Sequence, residues 1–218
     1  MPGPPVFPFR SHPALKHAGD DDLARFPEGE FVDIRSLVQG AAIEIEIGPG
    51  RGWFLIERAQ IEPRTGLIGV EIRRKWATVV NARLTARSLW PRARVFAEDA
   101  RVALRRLVPD ASVQRIFVNF PDPWWKRRHE KRLLMATGFL QDVARLLDRD
   151  GELFVQTDVG PRADEYEQLV GADVGFSPAG DSPGSARLAD NPYLARSPRE
   201  RRAMADGLPV HRLRWKRR

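Results

Sequence analysis

Cysteine is absent from this 218-residue chain, which excludes disulfide frameworks, thiol nucleophiles and thiolate metal sites. Histidine is scarce. His12, His17, His129 and His211 show neither H-E-x-x-H nor another metal-binding spacing, so no metal is expected. No run of about 18 apolar residues occurs, and the amino terminus lacks an apolar signal-like core. Neither a membrane span nor export is therefore expected, and the cytoplasm is the expected location. Lysine is rare too, 31 of the 36 cations being arginine.

What is present points to one α/β domain. Residues 1–20 are rich in Pro and Gly with no periodic apolar face and read as a mobile arm, leaving 21–218 as a single domain. From Ala42 onward strand and helix patterns alternate. Strands are expected at Ile43–Ile47, Leu67–Ile72, Arg94–Ala97, Val113–Asn119 and Leu153–Gln156. Helices are expected from about Trp53, through Trp76, Val79, Val80 and Leu84 on one face, through Val102, Leu104 and Leu107, over Leu133–Leu147 ahead of a turn at Asp148–Gly151, and through Glu165–Val170. Val174–Ser177 and Val210–Trp215 read as a late strand pair around a polar loop. The pattern predicts a mostly parallel sheet with helices on both faces and an antiparallel late strand near one edge.

Charge is concentrated. Arg196 to Arg218 holds nine cations against Glu200 and Asp206, which accounts for the whole formal charge of +7. Lys126 to Arg132 holds five cations and one acid. Two such foci on an otherwise balanced chain suit a nucleic acid.

The second focus follows Asn119-Phe120-Pro121-Asp122-Pro123-Trp124-Trp125. Pro121 and Pro123 fix the backbone on both sides of Asp122 at the carboxyl end of a strand, where open α/β sheets place their chemistry. The indoles offer faces for base stacking. Upstream, Gly48-Pro49-Gly50-Arg51-Gly52 turns the first strand into a helix, but its third glycine comes one residue too early for a dinucleotide fingerprint. Glu46, at the mouth of that turn, would repel a pyrophosphate and attract a cation such as the amino group of S-adenosylmethionine. Glu71 ends the second strand, the usual place for an acid that binds both ribose hydroxyls, although it could instead pair with Arg73 or Arg74. Asp99 ends the third strand within reach of an adenine amine, or caps the helix from Ala100. Together these acids fit a class I methyltransferase site.

The segments Glu44–Phe54, Gly69–Lys75, Glu98–Ala100, Phe120–Arg132 and Thr157-Asp158 resemble the bacterial tRNA (guanine-N7-)-methyltransferase family, in family order. The resemblance implies a Rossmann-like class I methyltransferase fold and S-adenosyl-L-methionine as cofactor. It implies donor contacts from Glu46, Glu71, Asp99 and Asp122 along the glycine turn (Gly48, Gly50), with Asp122 as the catalytic residue. It implies tRNA contacts from Lys126, Asp158, Ser197 and Glu200. Three positions depart from the family pattern: Leu133 replaces an arginine, Ser197 replaces a threonine, and Arg199 replaces an aromatic residue.

The chemistry is consistent with this set. Guanine N7 carries an in-plane lone pair, so attack on a sulfonium methyl needs no prior proton removal and no thiol or histidine base. The enzyme must supply orientation and stabilise the charge that moves into the purine ring. Two alternatives stand beside this reading. One is methylation of an exocyclic amine, since N-F-P-D partly matches an Asn/Asp-Pro-Pro-aromatic motif. The other is an RNA-binding protein without catalysis.

Overall fold

The computed structural model describes residues 23–121, 134–135 and 137–218. The amino-terminal arm, Asp122, Lys126, Leu133 and the rest of the basic block lie outside the described residues.

Eight strands form one sheet. The parallel part comprises β2 (Ala42–Ile47), β3 (Thr65–Glu71), β4 (Ala93–Ala97), β6 (Val113–Asn119) and β7 (Leu147–Thr157). β10 (His211–Arg217) enters antiparallel between β7 and β8 (Phe176–Pro178), and β9 (Arg187–Leu188) also pairs with β10. The order is β4-β3-β2-β6-β7-β10-β8, while β1 (Val32–Asp33) and β5 (Leu107–Val108) form a separate two-stranded ladder. The chain winds outward from β2 to β4, then returns to start β6 on the other side of β2. That reversal opens a crevice at the carboxyl ends of β2 and β6, the ligand position of doubly wound sheets.

The helices are α1 (Trp53–Ile61), α2 (Arg74–Thr85), α3 (Ala100–Arg106), α4 (Thr137–Leu146), α5 (Gly160–Gly171) and α6 (Pro198–Ala205). Side-chain alternation sorts them onto two faces. Ile43, Ile45 and Ile47 of β2 join Ile116 and Val118 of β6 in a core with Leu104, Phe139, Val143 and Val170 from α3, α4 and α5. On the opposite face Leu55 and Ala59 of α1 meet Val80 and Leu84 of α2 over Leu67 and Val95. Further along that face, Phe117 packs edge-on between Phe54 and Tyr193, each at 5.0 Å between ring centroids. Truncating so enclosed a ring costs about 3–5 kcal/mol.

The same alternation explains why an apolar strand carries Glu44 and Glu46. Both face α1. Glu44 is fully buried and accepts from Nε and Nη2 of Arg58 at 2.8 Å each and from Arg115 Nη1 at 2.7 Å. Arg115 Nε then donates to Glu152 at 2.9 Å, and the Tyr193 hydroxyl donates to the same carboxylate at 3.0 Å. Burial, helped by the adjoining Glu152 charge, pushes the Tyr193 phenol well above its ordinary range. A buried charge needs such partners, so this ladder fixes the strands β2, β6 and β7 against α1.

Several sequence expectations are corrected here. The last strand of the parallel set starts at Leu147 rather than Leu153, and the expected turn at Asp148–Gly151 is a bulge inside it, with Asp150 at φ 70° and the β6 register passing from Leu147 opposite Val113 to Glu152 opposite Arg115. On α2 the buried side chains are Ala77, Thr78, Val80, Asn81 and Leu84, while Trp76 and Val79 flank them. Val102 is exposed and Leu107 belongs to β5, the core face of α3 being Ala100, Ala103 and Leu104. The polar loop before the last strand contains helix α6. No helix among the described residues is long and apolar enough to cross a membrane.

Candidate active site

The crevice is floored by the turn after β2. Gly48 and Gly50 have φ of 67° and 53°, a region that L side chains rarely adopt, and a Cβ on either would meet nothing within 4 Å. Their backbone therefore faces open space that a ligand can approach. Gly52 closes the turn by donating its N–H to the Pro49 carbonyl at 2.7 Å, and α1 starts at Trp53. A side chain at Gly52 would strike Val80 Cγ1 at 2.4 Å, so glycine here also lets α2 pack against the turn.

Glu71 braces this turn from β3. It is buried, its Oε2 accepts from the Gly50 N–H at 3.0 Å, and its Oε1 accepts from the Arg73 N–H at 3.0 Å. The Arg73 guanidinium approaches the same oxygen at 3.4 Å. Oε2, with one donor, keeps a second lone pair.

Glu46 sits deeper, at the end of β2, and is 2% exposed. Its Oε1 accepts from Asn119 Nδ2 at 3.0 Å across the β2–β6 reversal, while its Oε2 is buried with no hydrogen-bond partner among the described residues. Burial first, with the nearby Glu71 charge adding, pushes this carboxyl up to about 8, although bonds from Asn119 and the Leu55 backbone oppose the shift. A buried carboxyl with one unsatisfied oxygen is costly, and a cationic donor in the crevice would relieve both defects.

Asp99 follows β4 and caps α3. Its Oδ1 accepts from the Arg101 N–H at 2.9 Å and Arg101 Nε at 3.0 Å, and its Oδ2 from Arg101 Nη2 at 2.6 Å. The Arg101 bonds hold it below the usual carboxylate range. Both the cap and the place at a strand end raised in the sequence analysis are thus realised in one residue.

Phe120 redirects the chain at the end of β6. Its φ of 50° is unusual for a bulky residue, and its N–H donates to the Gln156 carbonyl at 2.8 Å. Arg199 of α6 lies 5.5 Å above the Phe120 ring and donates from Nε and Nη2 to Asp158 at 2.9 Å each. The position that departs from the family pattern therefore ties α6 to the ends of both β6 and β7.

Ser197 caps α6, its Oγ accepting from the Glu200 N–H at 3.1 Å. Glu200 is fully buried, accepting from Arg212 Nη2 at 3.0 Å and from Asn191 Nδ2 at 3.3 Å. Both residues stand behind the Asp158 loop, and the described part of the crevice joins Glu46, Gly48, Gly50 and Glu71 most closely. Sequence reasoning missed Asn119 as Glu46's partner and Arg212 as Glu200's. A polar residue closing a buried strand was the available signal for Asn119.

These residues fit S-adenosylmethionine. The orphaned Glu46 oxygen suits its ammonium group, and the bare faces of Gly48 and Gly50 leave room beside Glu71 for its ribose. Comparison with known proteins agrees. A family model described as "Putative methyltransferase" matches residues 40–212. A tRNA (guanine-N(7)-)-methyltransferase of Synechococcus sp. (strain JA-3-3Ab) is 32% identical over 173 residues, 79% of this chain and 71% of that protein. Another, from Synechococcus sp. (strain WH7803), is 36% identical over 185 residues, 82% of this chain and 76% of that one. The crystal structure of the 16S rRNA methyltransferase KamB superposes with a TM-score of 0.59 at 16% identity, covering 84% of this chain and 90% of KamB, which shows a shared class I methyltransferase fold. The chain belongs to the tRNA (guanine-N(7)-)-methyltransferase family.

Proposed function

We propose that this protein transfers a methyl group from S-adenosylmethionine to N7 of a guanosine in the tRNA variable loop, position 46 in type, and works in the cytoplasm as a single domain over residues 21–218. The observation that supports the reading best is Glu46, a buried carboxyl with one oxygen unpartnered among the described residues, next to the open glycine turn and close enough to Glu71 to feel its charge. That is the demand of a cationic ligand with a ribose, and a pyrophosphate would be repelled there.

S-adenosylmethionine supplies the electrophilic methyl group when bound. Glu46 would hold the ammonium group, Gly48 and Gly50 would let the backbone approach, and Glu71 would accept from a ribose hydroxyl with the spare lone pair of Oε2. Asp99 lines the adenine end, where its capping bonds keep it ionised. Asp122 is the catalytic residue, either balancing the positive charge entering the purine ring or gripping the guanine N1–H and N2 amine. Lys126 and the cations after it take phosphates. Asp158 completes the guanine side of the crevice, positioned by Arg199, while Ser197 and Glu200 hold α6 in place behind it. The target nitrogen needs no base, and methyl transfer from a sulfonium needs no metal.

Incubation with unmodified tRNA and labelled donor, followed by digestion to nucleosides, tests the assignment. Label in 7-methylguanosine is expected. Label confined to N6-methyladenosine or N2-methylguanosine would establish the exocyclic-amine alternative instead.

A further inference from the structure

The carboxyl-terminal cationic focus visible in the sequence is largely paired in the structure. Six of the nine cations between Arg196 and Arg218 lie in ion pairs: Arg196 and Arg212 with Glu200, Arg199 with Asp158, Arg201 with Glu57, Arg202 with Asp206 and Arg214 with Glu152. Residues 72–97, by contrast, contain seven cations and no acid. Within that stretch Arg83 stands in the last turn of α2 and Arg87 just beyond it, and Arg83 reaches Arg51 of the glycine turn.

These three guanidiniums are held entirely by neutral groups among the described residues. Arg83 Nη1 donates to the Arg51 carbonyl at 2.7 Å, and Arg87 Nη1 donates to the Arg83 carbonyl at 3.0 Å. Arg51 lies 5.2 Å from the Trp76 ring centroid, and Arg83 lies 5.2 Å from that of Trp53. Trp76 and Arg83 lie seven residues apart on one stripe of α2, and Arg87 follows in the turn after it. Arg51 and Arg87 are exposed, and Trp53 and Trp76 are half-buried. Partial burial, with Arg87 and Arg51 adding like charge, lowers the Arg83 guanidinium from its ordinary value. Indole faces fix Arg51 and Arg83 without neutralising them. The result is a rigid concentration of positive charge whose self-repulsion a polyanion relieves, releasing counterions as it binds.

We propose that Arg51, Arg83 and Arg87, framed by Trp53 and Trp76, form a docking surface for the phosphate backbone of tRNA, on the flank of the donor site's glycine turn. The surface deepens the tRNA reading given above and rests on it. It takes phosphates some way from the target guanosine, so it contributes affinity and salt dependence without touching the reacting atoms.

The test measures binding of in-vitro transcribed, unmodified tRNA to the full chain across a range of salt concentrations. Each lost phosphate contact lowers the log–log slope by about 0.7 to 0.9. Arg83→Gln with Arg87→Gln should therefore lower it by about 1.4 to 1.8, with S-adenosylmethionine affinity retained. Arg64→Gln with Arg149→Gln removes the same charge from exposed positions at the amino-terminal ends of β3 and β7, and should leave the slope in place. If the first pair unfolds, Arg87→Gln alone should lower the slope by about 0.7 to 0.9, since the exposed Arg87 side chain donates to a neighbouring carbonyl and braces no other element among the described residues. Equal slopes for the wild type and the Arg83/Arg87 variant, or equal losses in both pairs, would overturn the surface while leaving the enzyme assignment intact. Failure of the unsubstituted protein to bind tRNA at all would overturn the reading beneath it as well.

Discussion

Glu46→Gln separates stability from ligand binding in opposite directions. In the free protein the carboxyl is buried, receives one side-chain bond from Asn119 at 3.0 Å, and titrates at about 8, far above the ordinary 4.5. A raised carboxyl pKa means that the folded state binds the proton more tightly than the unfolded chain. This residue's contribution to stability is therefore greatest below about pH 4.5 and is lost as pH rises toward 8, with a slope of at most about 1.4 kcal/mol per pH unit. Glutamine keeps the shape and cannot ionise, so the variant should lose this slope and be at least as stable as the wild type near pH 8.5. Donor binding should suffer. Removing one member of a buried charge pair costs about 2–5 kcal/mol, which corresponds to about 30- to 5,000-fold in Kd. Pairing with the ammonium group requires the ionised carboxylate, so wild-type donor affinity should rise by up to about tenfold per pH unit between pH 6 and 8 and then level off. Calorimetry in buffers of different ionisation enthalpy would read the released proton, and thermal unfolding across the same pH range would read stability. A donor Kd for Glu46→Gln within threefold of wild type, or wild-type binding that ignores pH from 6 to 8, would refute the reasoning.

Asp122→Asn should lower turnover by at least about 10²-fold, the scale of one lost electrostatic contact in the transition state, with tRNA affinity retained in a filter-binding assay. Glu71→Ala should raise KM for the donor in steady-state kinetics, because it removes both the ribose acceptor and the brace on the Gly50 N–H. Glu200→Gln should lower stability by about 3–5 kcal/mol in denaturant unfolding, since it leaves the buried Arg212 guanidinium without its counter-charge.

The legible parts of the fold were those set by local pattern. Val113–Asn119 forms a strand with the expected bounds, because a β-branched and aromatic run buried on both faces admits little else. The helix at Pro198–Ala205 escaped notice because only Glu200 and Ala203 are buried in it, leaving no apolar stripe to read. Asp148–Gly151 has turn composition and bulges out of the ladder inside the bounds of β7, since the register with β6 passes from Leu147 straight to Glu152 and β10 pairs only from Glu152 onward. In the site, the order of acids at successive strand ends was legible from position alone. Their partners were not. Asn119 reaches Glu46 from 73 residues away and Arg199 reaches Asp158 from 41, contacts that only the sheet order creates. Net charge was the least informative quantity, because Glu57, Glu152 and Asp158 come from elsewhere to pair with the carboxyl-terminal arginines.

The central claim is methyl transfer to guanine N7 at one place in tRNA. Borohydride reduction followed by aniline cleavage breaks a tRNA chain where 7-methylguanosine stands. Unmodified tRNA incubated with the protein and S-adenosylmethionine should be cut once, at a guanosine of the variable loop, and Asp122→Asn should leave it whole. An uncut tRNA that has nevertheless acquired a methyl group, or a cut outside the variable loop, would contradict the account.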